Sequence, residues 1–251
     1  MVGACLFERQ HHRSIASVLE ALDAEVLASN ACIFGGGTAM ALRYGEYRES
    51  LDIDFLVSKL DGYRQLRQRL TGPDGLRAIL KPGQVLNQTR EMRADQYGLR
   101  TLLRVDGVDI KFEIVLEGRI QLEAPRAEDR ICGVATLTPL DMATSKLLAN
   151  SDRWRDDAVL SRDLIDLAMM APPRKLLRQA IAKALAAYGD SVQADLAKAI
   201  DDLKERPHRL DRCMQDLQMN TVSKALLWAR ITALARGLKP PSAAPSSAPG
   251  P

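Results

Sequence analysis

The stretch FGGGTAMALRYGEYRESLDIDF, Phe34 to Phe55, decides how the rest of the chain is read. Three consecutive glycines end a short apolar run, ACIF (31–34), that has the look of a buried strand. Residues 38–44 then suit a short helix closed by Gly45, since helices commonly end on a glycine in the left-handed conformation. In LDIDFLV (51–57) residue character alternates, so a strand there points Asp52 and Asp54 to one face and Ile53 and Phe55 to the other. Glycines without a Cβ let backbone N–H groups at a helix start approach phosphate oxygens. Two carboxylates this close repel each other unless a cation lies between them. The combination points to a phosphoryl-transfer site built around two divalent cations. Each element alone is bland: a glycine triplet is more often a tight turn, and alternating aspartates are more often a solvated face. No Lys-Ser or Lys-Thr follows the glycines, so this is not a Walker A loop.

Outward from that stretch, residues 7–29 carry apolar positions at Ile15, Val18, Leu19, Leu22, Val26 and Leu27, the period of one helix. A helix is predicted over 61–70 and a loop at TGPDG (71–75). LRTLLRV (99–105) and VDIKFEIV (108–115) flank Asp106-Gly107, the dipeptide of a two-residue hairpin turn. On the second strand Asp109, Lys111 and Glu113 share one face, so either Glu113 or Asp109 can supply a third carboxylate. From Thr138 onward no strand is predicted. Thr138-Pro139-Leu140-Asp141 is a helix start, with Thr as cap and Pro at the first helical position. Amphipathic helices follow over 139–150, 159–171, 173–188, 191–205 and 221–237. The predicted organisation is an α/β lobe at 1–137, a helical lobe at 138–239, and a flexible tail, PPSAAPSSAPGP, at 240–251.

Composition narrows the function classes. With 46% hydrophobic and 27% charged residues the chain is of the soluble globular type, and its net charge of +3 neither demands nor excludes a nucleic-acid partner. No apolar run approaches the ~18 residues of a membrane span, and the first residues lack a signal-peptide core, so a cytoplasmic protein is expected. Cys5, Cys32, Cys132 and Cys213 lie far apart without CxxC spacing, which predicts reduced thiols rather than zinc or a disulfide framework. His11-His12 lacks ligand-spaced partners and is assigned to the surface, and Trp154 and Trp228 to packing. Basic residues of the helical lobe are interleaved with acids except at Arg174, Lys175 and Arg178, which form a dense cluster.

GGTAMALRYGEYRESLDIDF resembles the opening motif of the AbiEii-type nucleotidyltransferase toxins, within the DNA polymerase β-like nucleotidyltransferase superfamily. That motif runs Gly-Gly-Thr-Ala-Leu, Arg-x-Ser, Asp-x-Asp. The matching positions are Gly36, Gly37, Thr38 and Ala39, then Arg48 and Ser50, then Asp52 and Asp54, with Met40 in place of the usual Leu. A second block resembles the family's helical Lys and its Arg-Asp-x-x-Asp-Leu segment, at Lys146 and at Arg162, Asp163, Asp166 and Leu167. The IKFEI strand resembles the family's Lys-apolar-Glu strand, which favours Glu113 over Asp109. The resemblance, covering about residues 31–168, implies an α+β fold: a polymerase β-like lobe with a mixed sheet, then an all-helical C-terminal lobe. It implies Mg²⁺- or Mn²⁺-dependent transfer of NMP from an NTP to an acceptor such as tRNA, as the toxin of a toxin–antitoxin or phage-defence pair. The antitoxin would be a separate protein.

Residue by residue, the resemblance makes Asp52 and Asp54 metal ligands, makes Glu113 the third carboxylate, either a base for the attacking hydroxyl or a further metal ligand, and gives Gly36, Gly37 and Thr38 the phosphates. It gives Lys146 the triphosphate, against the plain reading of a solvent-facing lysine, and places Arg162 beside the nucleotide. Asp163 or Asp166 would orient Lys146 or touch the nucleotide, while Arg48 and Ser50 would either contact phosphate or brace the loop. The alternative reading is a non-catalytic binding module or antitoxin that keeps the fold and acts through a protein partner.

Overall fold

Residues 7–238 are described in a computed structural model. The expected leading helix is two, α1 (Gln10–Ala21) and α2 (Ala24–Ser29). Leu22 turns extended and bridges to Leu80, and the Asp23 carboxylate accepts from the backbone N–H groups of Glu25 and Val26, capping a new helix. The chain then forms β1 (Ile33–Gly35), α3 (Gly36–Arg43), β2 (Ile53–Val57) and α4 (Leu60–Leu70). A 3₁₀ turn at Gly75–Ile79 leads to β3 (Asn87–Gln88) and β4 (Arg93–Ala94), two short edge strands that carry no alternation and were not expected.

The hairpin β5 (Gly98–Val105) and β6 (Val108–Leu116) forms as expected. Asp106 and Gly107 both take positive φ, 51° and 81°, which matches the twist that two-residue hairpins need. Strand order in the sheet is β1-β2-β6-β5-β3, with β4 also on β5. β2 and β6 run parallel and the other neighbours antiparallel, so the sheet is mixed. One face is buried around Phe34, Phe55 and Phe112, whose rings step across the sheet at 5.6 and 5.7 Å. A small ribbon, β7 (Arg130–Ile131) and β8 (Val134–Ala135), follows. No strand occurs after it among the described residues.

Six α-helices follow among the described residues. Thr138 caps α5 (Pro139–Arg153), its side chain accepting from the Asp141 N–H, as the sequence predicts. The expected helix over 159–171 is shorter, because Leu160 and Ser161 are both left-handed and α6 (Arg162–Met170) starts only after them. That break puts Arg162 and Asp163 in the first turn of α6. Then come α7 (Arg174–Tyr188), α8 (Ser191–Glu205), α9 (Pro207–Asp216) and α10 (Lys224–Leu238). α9 was not expected: its buried stripe, Leu210, Cys213 and Leu217, is one residue wide. α5 packs against α6, α7 and α8, and α10 closes over α6. Cys32 and Cys213 are buried free thiols. Cys132 is disulfide-bonded, contrary to expectation, while Cys5 and the tail at 240–251 lie outside the described residues. No helix among the described residues is long and apolar enough to cross a membrane.

Candidate active site

The parallel pairing of β2 with β6 sets Asp54 opposite Glu113. Alternation along both strands then turns Asp52, Asp54, Lys111 and Glu113 to the same side, into a cleft of about 330 Å³. The facing wall comes from α5, through Lys146 and Arg153, and from the first turn of α6, through Arg162 and Asp163. Asp109 lies toward the exposed hairpin end and is held by Arg104 at 2.8 and 2.9 Å, so it is not part of this group. Alternation alone could not separate Asp109 from Glu113, because they share a face; the register with β2 agrees with the resemblance in favouring Glu113.

Gly36 and Gly37 form the rim beside the carboxylates. Gly36 has φ +69°, and a Cβ there would sit 2.3 Å from Asp54 Oδ2. Gly36→Ala is therefore expected to destabilise the fold by ~1–2 kcal/mol from the left-handed backbone alone, and to push Asp54 out of place. Thermal melting should fall by several degrees, at ~2–4 °C per kcal/mol. An unchanged melting temperature would mean that neither the left-handed backbone nor Asp54 resists the added Cβ.

Neither Asp52 nor Asp54 has an ion pair among the described residues. Burial, followed by the neighbouring charges of Asp52 and Glu113, lifts the Asp54 pKa to about 6, while Lys111 and Lys146 act the other way. Glu113, by contrast, is neutralised by Arg100 at 2.8 Å and Lys111 at 2.7 Å. As these side chains stand, no three metal-ligating groups among the described residues enclose a cation site. Two unpaired carboxylates beside a phosphate-accessible glycine rim nonetheless suit Mg²⁺, which is usually held by one or two carboxylates together with substrate phosphates.

Behind the cleft wall runs a buried polar spine. Asp166, fully buried, accepts from Arg48 Nε (2.6 Å), Arg48 Nη2 (2.9 Å) and the Tyr47 hydroxyl (2.7 Å). Lys146 Nζ lies 2.6 Å from Asp166 and 3.1 Å from Asp163, and Arg153 grips Asp163 at 2.7 and 3.0 Å. Burial by itself would raise the Asp166 carboxyl, but Arg48 and then Lys146 hold it well below the usual carboxylate range. Asp163 is depressed likewise: burial opposes, while Lys146 and Arg153 prevail. Lys146 is thus buried rather than solvent-facing, with its ammonium fixed between two aspartates at the cleft wall.

The remaining expected residues divide by position. Arg162 lines the cleft and has no ion pair among the described residues. Arg48 directs its three nitrogens to Asp166 and the Glu49 carbonyl, which is the geometry of a brace. Thr38, also buried, contacts Ser50 Oγ at 2.8 Å and donates to the Asp52 carbonyl, so its side chain anchors the entry to β2. Asp166 does not reach the cleft surface; its position is that of an orienting group for Lys146. His12, expected at the surface, is fully buried: Nε2 accepts from the Ser50 N–H (3.3 Å) and Nδ1 meets Glu46 at 2.7 Å. It pins the loop that carries Arg48 and Ser50.

Sequence reasoning gave no site role to Lys111, Glu117 or Arg119 and read Arg153 only as a candidate ion-pair partner of Asp163 and Asp166; all four line the cleft. Lys111 was readable from its shared face with Glu113, and Arg153 from its place two turns beyond Lys146. Arg119, clasping Glu117 at 2.7 Å, carried no local signal.

Comparison with known proteins gives the family and the fold. Residues 17–244, nearly the whole chain, match the family model described as nucleotidyl transferase AbiEii toxin, type IV TA system. Among solved structures, a candidate nucleotidyltransferase from H. pylori aligns with a TM-score of 0.51 at 17% identity, covering 92% of this chain and 97% of that one. JHP933 from Helicobacter pylori aligns with a TM-score of 0.49 at 18% identity, covering 93% and 95%. No match was found among curated proteins. The first structural likeness carries the fold, an α+β arrangement with a mixed sheet and a helical C-terminal part; the family match carries the assignment. The chain belongs to the AbiEii family of nucleotidyltransferase toxins of type IV toxin–antitoxin systems.

Proposed function

We propose that the protein transfers NMP from an NTP to an RNA acceptor, most simply tRNA, with Mg²⁺ or Mn²⁺ held by Asp52 and Asp54. The observation that carries this reading is the pair of unpaired carboxylates facing Lys146 and Arg162 across one cleft. Glycine N–H groups at the start of α3 would receive phosphate oxygens, and Arg162 and Lys146 would offset the charge of the triphosphate. A divalent cation bound there would polarise the α-phosphate and help deprotonate the attacking hydroxyl. The acceptor hydroxyl loses its proton to solvent, its oxygen bonds to the α-phosphorus, the bond from that phosphorus to the bridging oxygen breaks, and pyrophosphate leaves. Glu113 is the third carboxylate, facing Asp54 and kept neutralised by Arg100 and Lys111. Asp163 and Asp166 hold the Lys146 ammonium in place and stay ionised.

Incubating the protein with Mg²⁺, total tRNA and each labelled NTP in turn tests the reading. Label should enter tRNA with at least one nucleotide and require the metal. If none of the four gives transfer, the non-catalytic binding module is the better description. A second expectation concerns Lys146→Ala. Loss of a charged contact worth ~1.5–3 kcal/mol should raise KM for the NTP by roughly 10- to 100-fold. Melting should fall only a few degrees, because Asp163 keeps Arg153 and Asp166 keeps Arg48. An unchanged KM would leave Lys146 a purely structural residue.

A further inference from the structure

The cations of α7 to α10 fall into two sets. Lys183, Lys198, Arg206, Arg209, Arg212 and Lys224 are each paired with an aspartate. Arg174, Lys175 and Arg178 on α7 and Arg230 and Arg236 on α10 make no ion pair among the described residues, a state that the isolated Lys204 shares. Three of these, Arg174, Arg230 and Arg236, converge on a recess of about 240 Å³ that no acidic residue lines. Its apolar floor includes Leu177, Leu234 and Gly237. Gly237 lets α10 close on α7, since a Cβ there would lie 2.7 Å from Leu177 Cδ2. Arg230 is already aimed: it donates to the Met169 carbonyl at 2.9 Å, at the C-terminal end of α6.

We propose that this arginine recess binds a phosphodiester of the RNA acceptor, away from the catalytic cleft; the inference rests on the RNA-acceptor reading above. Arginine presents a planar fork that fits phosphate oxygens, and unpaired arginines around an acid-free recess leave that capacity open. Placement fits the same substrate. The first turn of α6 enters the cleft through Arg162 and Asp163, and the recess lies at the other end of that nine-residue helix. At 1.5 Å per residue the helix spans ~13 Å, a distance that a short stretch of strand covers. An RNA whose terminus occupies the cleft therefore has phosphates to spare at this distance. The same arginines would attract an acidic protein, but a polymer that must already enter the cleft needs no second partner.

The test is fluorescence anisotropy of labelled tRNA with the full chain over a salt series, wild type against Arg174→Ala/Arg236→Ala. Both arginines are exposed and lie outside the catalytic machinery, so melting and binding of a fluorescent NTP should not change. The variant should bind tRNA about tenfold more weakly at low salt, and its slope of log K against log salt should be shallower by about 2, one for each lost phosphate contact. An unchanged slope and affinity overturn the proposal even if wild type transfers NMP to tRNA. If wild type binds tRNA through the two arginines but transfers nothing, the recess stands and the acceptor reading fails. If wild type binds no tRNA, or if poly-glutamate binds wild type as tightly as tRNA does and loses affinity equally in the variant, the recess is not an RNA site.

Discussion

Asp54→Asn should abolish nucleotide transfer, by at least about a thousandfold, while leaving the metal-free protein as stable as wild type or more so. The first half follows because Asp54 is the member of the unpaired carboxylate pair that faces Glu113 and abuts Gly36, and an amide is a poor ligand for a hard cation. The second half follows from the direction of its pKa. Burial, Asp52 and Glu113 raise it to about 6 in the folded chain, against roughly 4 when unfolded. Between those values the folded state binds the extra proton. Raising the pH through this window therefore removes stability, up to about 3 kcal/mol if the whole difference is realised. Asparagine carries no such charge. The metal-free variant should lose less stability than wild type between pH 4 and pH 7, read by thermal melting at each pH. A variant that melts far below wild type at pH 7 would show that Asp54 holds the fold together instead.

Asp166→Ala should be the most destabilising single change at the site. It removes the counter-charge of Arg48 and one of two for Lys146, and it strands the Tyr47 hydroxyl, all in a buried setting. Breaking a buried ion pair from one side costs ~3–5 kcal/mol, so melting should fall by roughly 10 °C, with transfer lost as Lys146 moves. Asp163→Ala should cost less, because Asp166 keeps both Arg48 and Lys146. The pH response is opposite to that of Asp54. Since Arg48 and Lys146 hold the Asp166 carboxyl well down, its stabilisation is fully present above pH ~4 and is lost only as pH falls through its much lower folded value. If Asp166→Ala melts within two degrees of wild type, the spine does not brace the site.

Local features were legible in the sequence where one element suffices to define them. Alternation gave the shared face of Asp52 and Asp54, Asp106-Gly107 gave the hairpin, and Thr138-Pro139 gave the start of α5. Family likeness placed Lys146, Asp163 and Asp166 near one another. What failed needed a partner distant in the chain. Strand alternation left Glu113 and Asp109 equivalent, and the register against β2 supports the choice of Glu113 that the resemblance had favoured. Nothing around His12 announces that it will be buried against Glu46 and the Ser50 N–H. Helix α9 buries too narrow a stripe to stand out, and the split between α1 and α2 depends on Leu80 meeting Leu22.

The clasp between Arg48 and Asp166 joins residues 118 positions apart. During translation, at roughly 5–20 residues per second, the aspartate emerges on the order of ten seconds after the arginine. A nascent chain carries its aspartate pair long before it can steady the loop beside them, so the site is expected to stay unformed until α6 has been released.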